Sequence, residues 1–315
     1  MRFLSVCSGI EAASCAWHPL GWKAVGFSEI EKFPSAVLAH HYPHVPNLGD
    51  MTRFQEWPDD LNPDVLVGGT PCQSFSVAGL RKGLSDSRGN LALVYLALAD
   101  RYRPEWLVWE NVPGVLSSAG GRDFGAFLGA LVELGYGFAY RVLDAQYFAC
   151  AAPRARVFVV GNRRDWRRSA TVLLEPAALS GNPAPGSDAR LEGARTLGST
   201  TPRGRGDGAP LIPCWWDGGQ LAQTADAVLH KGQTMPDKKR FPALIDANGL
   251  RFATPREWER MLGFPDDYTN IRLNGKATPD GPRYKALGNS MAVPCMRWIG
   301  ERIDAVHHQT QDQAA

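Results

Sequence analysis

The sequence predicts an α/β protein, a mostly parallel twisted sheet with helices on both faces, accompanied by a smaller loop-rich domain. Three observations carry that expectation. The short apolar runs Val65-Leu66-Val67, Trp106-Leu107-Val108-Trp109 and Val157-Phe158-Val159-Val160 lack the alternation of a half-buried strand and read as strands covered on both faces. A helical stretch, Leu91 to Asp100, stands between the first two. With 315 residues, 44% of them hydrophobic, the chain can build a sizeable core and a second small domain.

Taken in order, Phe3-Leu4-Ser5-Val6 is a first strand, and Cys7-Ser8-Gly9-Ile10-Glu11-Ala12-Ala13 is a tight turn into a helix. A second strand, Ala24-Val25-Gly26-Phe27, presents Glu29 about twenty residues after Gly9, the spacing at which a Rossmann-like sheet sets a carboxylate on a ribose. A ribose-bearing cofactor is implied, although a strand-glycine-helix turn taken alone is as often purely structural. The turn lacks the full Gly-x-Gly-x-x-Gly pattern that cradles a pyrophosphate, which argues against NAD.

The run Val65-Leu66-Val67 leads into Gly68-Gly69-Thr70-Pro71-Cys72-Gln73, where glycines and proline turn the chain sharply and leave Cys72 at the strand's carboxyl end. Open α/β sheets bind their ligands there. The run ending in Trp109 delivers Glu110 to the same rim, within Trp109-Glu110-Asn111-Val112-Pro113. A thiolate attacks an electron-poor carbon, and a neighbouring acid helps most by protonating the atom on which negative charge would gather. Cytosine fits: addition at C6 pushes charge onto the ring, protonation at N3 relieves it, and C5 becomes nucleophilic enough to take a methyl group. Singly, a cysteine near a strand end is more often a small buried hydrophobe, and a glutamate closing a strand is usually solvated or paired with a cation. It is their pairing that points to chemistry.

These two segments resemble the Pro-Cys-Gln and Glu-Asn-Val motifs of the DNA cytosine-C5 methyltransferases, and the resemblance runs from the first strand to the last helix, fading between about Arg167 and Leu250. It implies Cys72 as the nucleophile and Glu110 as the N3 acid. It further implies S-adenosylmethionine as cofactor, held by Ser8, Gly9 and Ile10 in the turn, by Glu29 and Ile30 after the second strand, by Asp50 and Met51 in Leu48-Gly49-Asp50-Met51, and by Pro71. Asn289 and Ser290, in Tyr284-Lys285-Ala286-Leu287-Gly288-Asn289-Ser290-Met291-Ala292-Val293-Pro294, resemble the family's last motif and would lie near the methionine part. Without that resemblance the pair reads as the N-cap of the apolar helix Met296-Arg297-Trp298-Ile299. The chain departs from the family pattern at Cys7, where an aromatic is usual, at Glu11, where a glycine is usual, and at Ala152, where a glutamine is usual.

The polar, glycine-punctuated stretch from Gln73 to Asn90 is long for a connection in a compact domain. Hinged at Gly79, Gly83 and Gly89, it would close over a bound strand, with Gln73 and Ser76 near the DNA and Arg81, Lys82 and Arg88 towards phosphates. Arg154 and Arg156 alternate so that both guanidiniums point to one face, and they match the family's arginines at the target cytosine. Arg163, Arg164, Arg167 and Arg168 surround the single acid Asp165, either as a phosphate-contacting rim or as a solvated face.

The stretch from Arg167 to Leu250 contains Cys214-Trp215-Trp216-Asp217-Gly218-Gly219-Gln220 and a basic run from Lys231 to Arg240, groups suited to reading base edges but common in any loop-rich domain. Thr254-Pro255-Arg256-Glu257 is a capping box with proline at the first helical position, opening a helix that runs to Leu262 and stops at Gly263. The expected organisation is therefore residues 1–165 as catalytic and cofactor domain, 166–281 as target-recognition domain and hinge, 282–308 as a segment completing the catalytic domain, and 309–315 as a frayed tail.

Composition limits the remaining choices. A formal net charge of +2 announces no nucleic-acid binder, so local patches must supply that affinity. Six cysteines without a Cys-x-x-Cys pair or a His/Cys cluster argue against zinc, a disulfide framework or a thiol oxidoreductase, and suit a reducing cytoplasm. No apolar stretch reaches membrane-spanning length and the first residues do not make a signal peptide. The expected activity is a DNA (cytosine-5-)-methyltransferase acting on a flipped-out cytosine in duplex DNA, in a bacterial or phage-infected cell. An RNA cytosine-C5 methyltransferase and a catalytically silent DNA-binding homologue are the alternatives. A monomer is the family's habit, and a restriction endonuclease is a partner that the resemblance allows.

Overall fold

A computed structural model of the chain describes residues 1–71, 90–151, 153–174, 212–214, 243–246, 249–273 and 275–312. They fall into two compact units: one comprises Met1–Leu143, Ala155–Gly181 and Arg297–Ala315, the other Asp144–Arg154 and Asn182–Met296. The division leaves residues 144–154 and 282–296 with the second unit, whereas the sequence motifs group both with the catalytic domain.

The first unit is built on a six-stranded sheet. Its strands are β1 (Arg2–Val6), β2 (Lys23–Ser28), β3 (Val65–Gly68), β4 (Trp106–Asn111), β5 (Gly137–Asp144) and β6 (Ala155–Asn162), in the spatial order β2-β1-β3-β4-β6-β5. The pairs β1/β2, β1/β3 and β3/β4 are parallel and β4/β6 is antiparallel, so the expected mostly parallel α/β sheet is present. Each apolar run is buried on both faces because alternate side chains enter different layers. Leu4, Val6, Leu66, Leu107, Trp109, Val157 and Val159 share one core with the helices α3 (Leu91–Tyr102) and α4 (Arg122–Glu133). Trp109 there stacks on Phe127 at a centroid distance of 4.3 Å. The intervening residues turn to the other face, where Phe3 meets Trp17 of α1 (Ala12–Trp17) edge-on at 5.2 Å and Arg168 of α5 (Trp166–Leu173) lies over Trp106.

Strand β5 was not legible in the sequence because its burial is partial along almost its whole length, which erases both the continuous apolar run and the clean alternation. The remaining helix of this unit's first half, α2 (Lys32–His41), follows β2.

In the second unit β7 (Ile212–Cys214), β8 (Ala243–Asp246) and β9 (Gly249–Phe252) form an antiparallel three-stranded sheet, and β10 (Arg272–Leu273) pairs with β11 (Lys276–Ala277). Helix α6 (Pro255–Met261) opens with the expected capping box: Thr254 and Glu257 exchange side-chain and backbone hydrogen bonds. Helix α7 (Asp280–Asn289) ends with Ser290 as its C-cap. The reading of Asn289 and Ser290 as an N-cap is thus corrected, since the apolar period resumes only after Pro294 and these two residues close the preceding helix. The last helix, α8 (Val293–Asp312), which from Arg297 on belongs to the first unit, continues through residues 309–312 and so into the stretch expected as a frayed tail.

Candidate active site

Strand β3 stops at a glycine for a steric reason. A Cβ on Gly68 would sit 2.6 Å from Val6 Cγ2 and 2.8 Å from the Val6 carbonyl oxygen, so only glycine lets β3 lie this close to β1. Beyond it the chain stays beside β4. Gly68 pairs with Trp109 in the parallel register, Trp109 Nε1 donates to Thr70 Oγ1 at 3.0 Å, and Asn111 Nδ2 donates to the Thr70 carbonyl at 2.9 Å. The two residues that flank Glu110 therefore hold Thr70, which is itself buried. Cys72 follows two positions later and lies outside the described residues, as do Gln73, Ser76, Arg81, Lys82, Arg88, Ala152 and most of the expected base-reading stretch.

Glu110 sits at this carboxyl-end rim of the sheet with its side chain largely enclosed. Arg156 Nε reaches Glu110 Oε1 at 3.0 Å, with the two side chains 16% and 12% exposed. In the antiparallel register Phe158 stands opposite Glu110, so Arg156 is the diagonal neighbour on the same face, where a long side chain can meet it. Arg154 does something different from what its alternation with Arg156 implied. It precedes β6, is 2% exposed, and its Nη2 donates to the carbonyl oxygens of Gly288 and Ser290 in the second unit, to which it belongs. Its backbone N–H donates to Asp144 at 2.8 Å.

Arg163 and Arg164 are not at this rim. Because β6 runs antiparallel to β4, Asn162 pairs with Trp106, and the residues after it emerge at the opposite edge of the sheet. There Arg164 pairs with Glu105 at 3.0 Å, Arg168 reaches the same carboxylate at 2.6 Å, and Arg163 donates to the Arg103 carbonyl. The sequence left these arginines as either a phosphate-contacting rim or a solvated face, because strand direction was not visible in it.

At the other end of the rim the turn after β1 is tied to the end of β2. Gly9, at φ +56, donates its N–H to Glu29 Oε2 at 2.8 Å, and Glu29 Oε1 accepts from the backbone N–H groups of Ile30 and Glu31 at 2.8 and 2.7 Å. Ser8 bridges Ser5 and Ser28 through its hydroxyl. Asp50 is exposed, and one of its oxygens accepts from both the backbone and the hydroxyl of Thr52. Ile30 is 70% exposed beside Glu29, an apolar side chain standing in the open next to a fixed acid. Ile10 and Met51 are buried, while Pro71 is exposed. Asn289 and Ser290 belong to the second unit.

Two departures from the family pattern acquire a physical description. Glu11 takes the left-handed backbone (φ +66) that a glycine would occupy at no steric cost. It is held by capping α1: Oε1 accepts from the N–H and hydroxyl of Ser14 at 3.1 and 3.2 Å. Burial raises the carboxyl from 4.5 to about 7, against the opposing hydrogen bonds of Ser5 and Ser14 and with a smaller push from the Glu29 charge. Cys7 places its Sγ 3.5 Å from Met51 Sδ, and burial, then Glu29 and Asp50, push its thiol up to about 12.

Sequence reasoning missed Asn47. Its amide binds both backbone groups of Glu29, the Ser35 hydroxyl and the Gly49 N–H. An asparagine two residues before a glycine turn is a known signal for such local bonding, but it says nothing about a distant partner.

The arrangement suits S-adenosylmethionine. Glu29 keeps acceptor capacity after its three N–H bonds, and a Cβ on Gly9 would meet nothing within 4 Å, which leaves space at the turn. Among the described residues no group of three or more His, Cys, Asp or Glu could hold a metal, and no helix is long and apolar enough to cross a membrane.

Comparisons with known proteins agree with this geometry. Residues 1–192 and 189–305 match the family model described as C-5 cytosine-specific DNA methylase. A protein of Escherichia phage P1 named DNA N-6-adenine-methyltransferase is 34% identical over 456 aligned residues, covering 95% of this chain; the chain spans 60% of that relative's length. Type II methyltransferase M.HpaII of Haemophilus parainfluenzae is 28% identical, with 96% of this chain and 88% of the relative aligned. The solved structure of the S. pombe Dnmt2 methyltransferase is alike in fold, with a TM-score of 0.70 at 16% identity, over 97% of this chain and 99% of that one.

Proposed function

The chain belongs to the C-5 cytosine-specific DNA methylase family, and on that premise we propose that it transfers a methyl group from S-adenosylmethionine to C5 of a cytosine swung out of a specific duplex DNA sequence. The observation that carries the reading is the Glu110–Arg156 pair at 3.0 Å on the carboxyl-end rim, beside the Thr70 segment that leads into Cys72. The target carbon is inaccessible inside a stacked duplex, so the base must be extruded. The Cys72 thiolate adds to C6, forming the S–C6 bond, while Glu110 protonates N3. Once C5 has taken the methyl group, a solvent base removes the C5 proton, the C5–C6 double bond re-forms as the S–C6 bond breaks and the thiolate leaves, and N3 returns its proton to the Glu110 carboxylate. Arg156 orients the Glu110 carboxyl and Arg154 holds the segment leading into β6.

A free cysteine is mostly protonated at neutral pH, and no histidine adjoins Cys72 in sequence, so arginine charge and backbone dipoles must stabilise its thiolate. The cofactor would be held by Ser8, Gly9, Ile10, Glu29, Ile30, Asp50, Met51 and Pro71, with Asn289 and Ser290 at its methionine part. When bound it supplies an electrophilic methyl group. Gln73, Ser76, Arg81, Lys82 and Arg88 would meet the DNA. Arg163 and Arg164 are not included, because their place at the opposite edge of the sheet removes the reason for choosing them.

The name of the phage P1 relative refers to adenine N6, so the test must identify the product. Purified protein incubated with duplex DNA and tritiated cofactor, followed by hydrolysis to nucleosides, should yield labelled 5-methylcytosine. Duplex DNA carrying 5-fluorocytosine should trap a covalent complex, and Cys72→Ser should abolish both signals while leaving specific DNA binding. Label in N6-methyladenine, or in cytosine of tRNA alone, would redirect the assignment.

A further inference from the structure

The carboxylate of Glu29 does not hold its own position. Three backbone N–H groups converge on it: that of Gly9 ties it to the turn after β1, while those of Ile30 and Glu31 belong to the residues immediately following and fix the side chain only relative to its own backbone. That backbone is held by Asn47 on both its polar groups, with the Ser35 hydroxyl adding a bond to the Glu29 carbonyl at 3.2 Å. Asn47 Oδ1 accepts from Glu29 N at 3.1 Å and its Nδ2 donates to Glu29 O at 3.0 Å, bracketing the residue from both sides.

The same amide does two further things. Nδ2 also donates to Ser35 Oγ at 3.2 Å on α2, and Oδ1 also accepts from Gly49 N at 3.1 Å. A primary amide offers two donors and two acceptor lone pairs, and all four are used. The amide orientation is dictated by the backbone: flipped, the NH2 group would face two N–H donors. Aspartate would lose both donated bonds, and glutamine would carry the amide one methylene too far. The segment itself lies along β2 as a single parallel rung, with Phe27 N donating to Pro46 O at 2.9 Å and Leu48 N to Phe27 O at 2.7 Å. Ser28 Oγ closes the rung onto the Gly49 carbonyl at 2.6 Å.

We infer that Asn47 is the positioning residue that locks the Glu29 carboxylate and the Gly49-Asp50 turn into one clamp for the nucleoside part of the cofactor. The inference rests on the reading of Glu29 as the ribose-binding acid. Asn47 is exposed, and exposed hydrogen bonds exchange with water at little net free energy. Losing them should therefore change geometry far more than stability.

The experiment compares the full-length protein with Asn47→Ala, Asn47→Asp and Glu29→Gln by calorimetric titration with S-adenosylhomocysteine and with its 2′,3′-dideoxy analogue, alongside thermal unfolding. The expected result for Asn47→Ala is a loss of about tenfold in affinity for the ribose form, the size of one hydrogen bond to a charged group. Affinity for the dideoxy form should be unchanged and the unfolding temperature should move by no more than a few degrees. Asn47→Asp, which keeps the acceptor oxygen, should lose less, and it substitutes for the alanine variant should that one fail to fold. An equal loss for both ligands, or no loss for either, overturns the role of Asn47. A Glu29→Gln protein that still distinguishes the two ligands as the wild type does overturns the ribose reading itself, and with it this inference.

Discussion

Replacing Glu11 by glutamine should flatten the pH dependence of stability across the neutral range. The carboxyl is fully buried, and its pKa rises from 4.5 to about 7 chiefly through desolvation. Because the folded protein holds this proton more tightly than the unfolded chain does, the stabilisation is fully present below the unfolded value and is lost as pH rises through the folded one. A rise from 4.5 to about 7 corresponds to about 3 kcal/mol, most of which disappears between pH 5 and pH 8. Glutamine has no proton to lose and can still accept from the Ser14 N–H that Glu11 caps. The assay is urea unfolding followed by tryptophan fluorescence, which reports on Trp17, Trp22, Trp106 and Trp109, all buried. Measured at intervals from pH 5 to pH 8, the difference between wild type and Glu11→Gln cancels every other titrating group. That difference should swing by about 2 to 3 kcal/mol in favour of the variant as pH rises. Two stability curves that stay parallel over the range would refute the reasoning, since they would mean that Glu11 titrates alike in the folded and unfolded chains.

Other expectations follow from the same geometry. Arg154→Ala should cost about 1–3 kcal/mol by leaving the Gly288 and Ser290 carbonyls without their buried donor and spare most of the turnover, whereas Arg156→Ala, which leaves the enclosed Glu110 carboxylate without its partner, should lower both stability and turnover, the latter by on the order of 10²-fold. Urea midpoints and single-turnover methylation measure the two effects, and a reversed pattern would exchange the proposed roles. Cys7 and Cys150, both pushed up to about 12 by burial, should resist a maleimide reagent at pH 7.5 and react once the protein is unfolded. Peptide mass spectrometry reads this out, and rapid labelling of either in the native protein would contradict the raised thiol pKa.

The strands legible in the sequence were those whose two faces are both covered. Val65-Leu66-Val67 and Trp106-Leu107-Val108-Trp109 are apolar throughout because each face meets a layer of helices, and that pattern survives in one dimension. The Thr254-Glu257 capping box was equally legible because its partners lie three residues apart. The half-buried β5 left no such trace. Nor did Asn47, whose role depends on a partner eighteen residues away across a strand edge. Glu11 and Cys7 could be flagged as departures from a pattern, but only the backbone shows that both sit at positive φ, where a side chain must be held in place by its surroundings.

The arginines make the same point about direction. On the sequence, Arg154, Arg156, Arg163 and Arg164 fall within eleven residues, the first two matched to the target cytosine and the last two read as a phosphate-contacting rim or a solvated face. Arg154 and Arg156 flank the first residue of the eight-residue β6 and Arg163 and Arg164 follow its last, and the strand rises roughly 3.3 Å per residue. Its ends therefore lie about 23 Å apart, at opposite edges of the sheet. Had β6 been parallel to β4, Arg163 and Arg164 would have emerged beside Glu110 and Arg156 would not. The antiparallel register instead sets Val157 against Asn111 and Asn162 against Trp106. One reversal of strand direction thus gives Arg156 to Glu110 and sends Arg164 and Arg168 to Glu105, so among the described residues β6 brings positive charge to residue 110 from its start rather than from the longer cluster beyond its end.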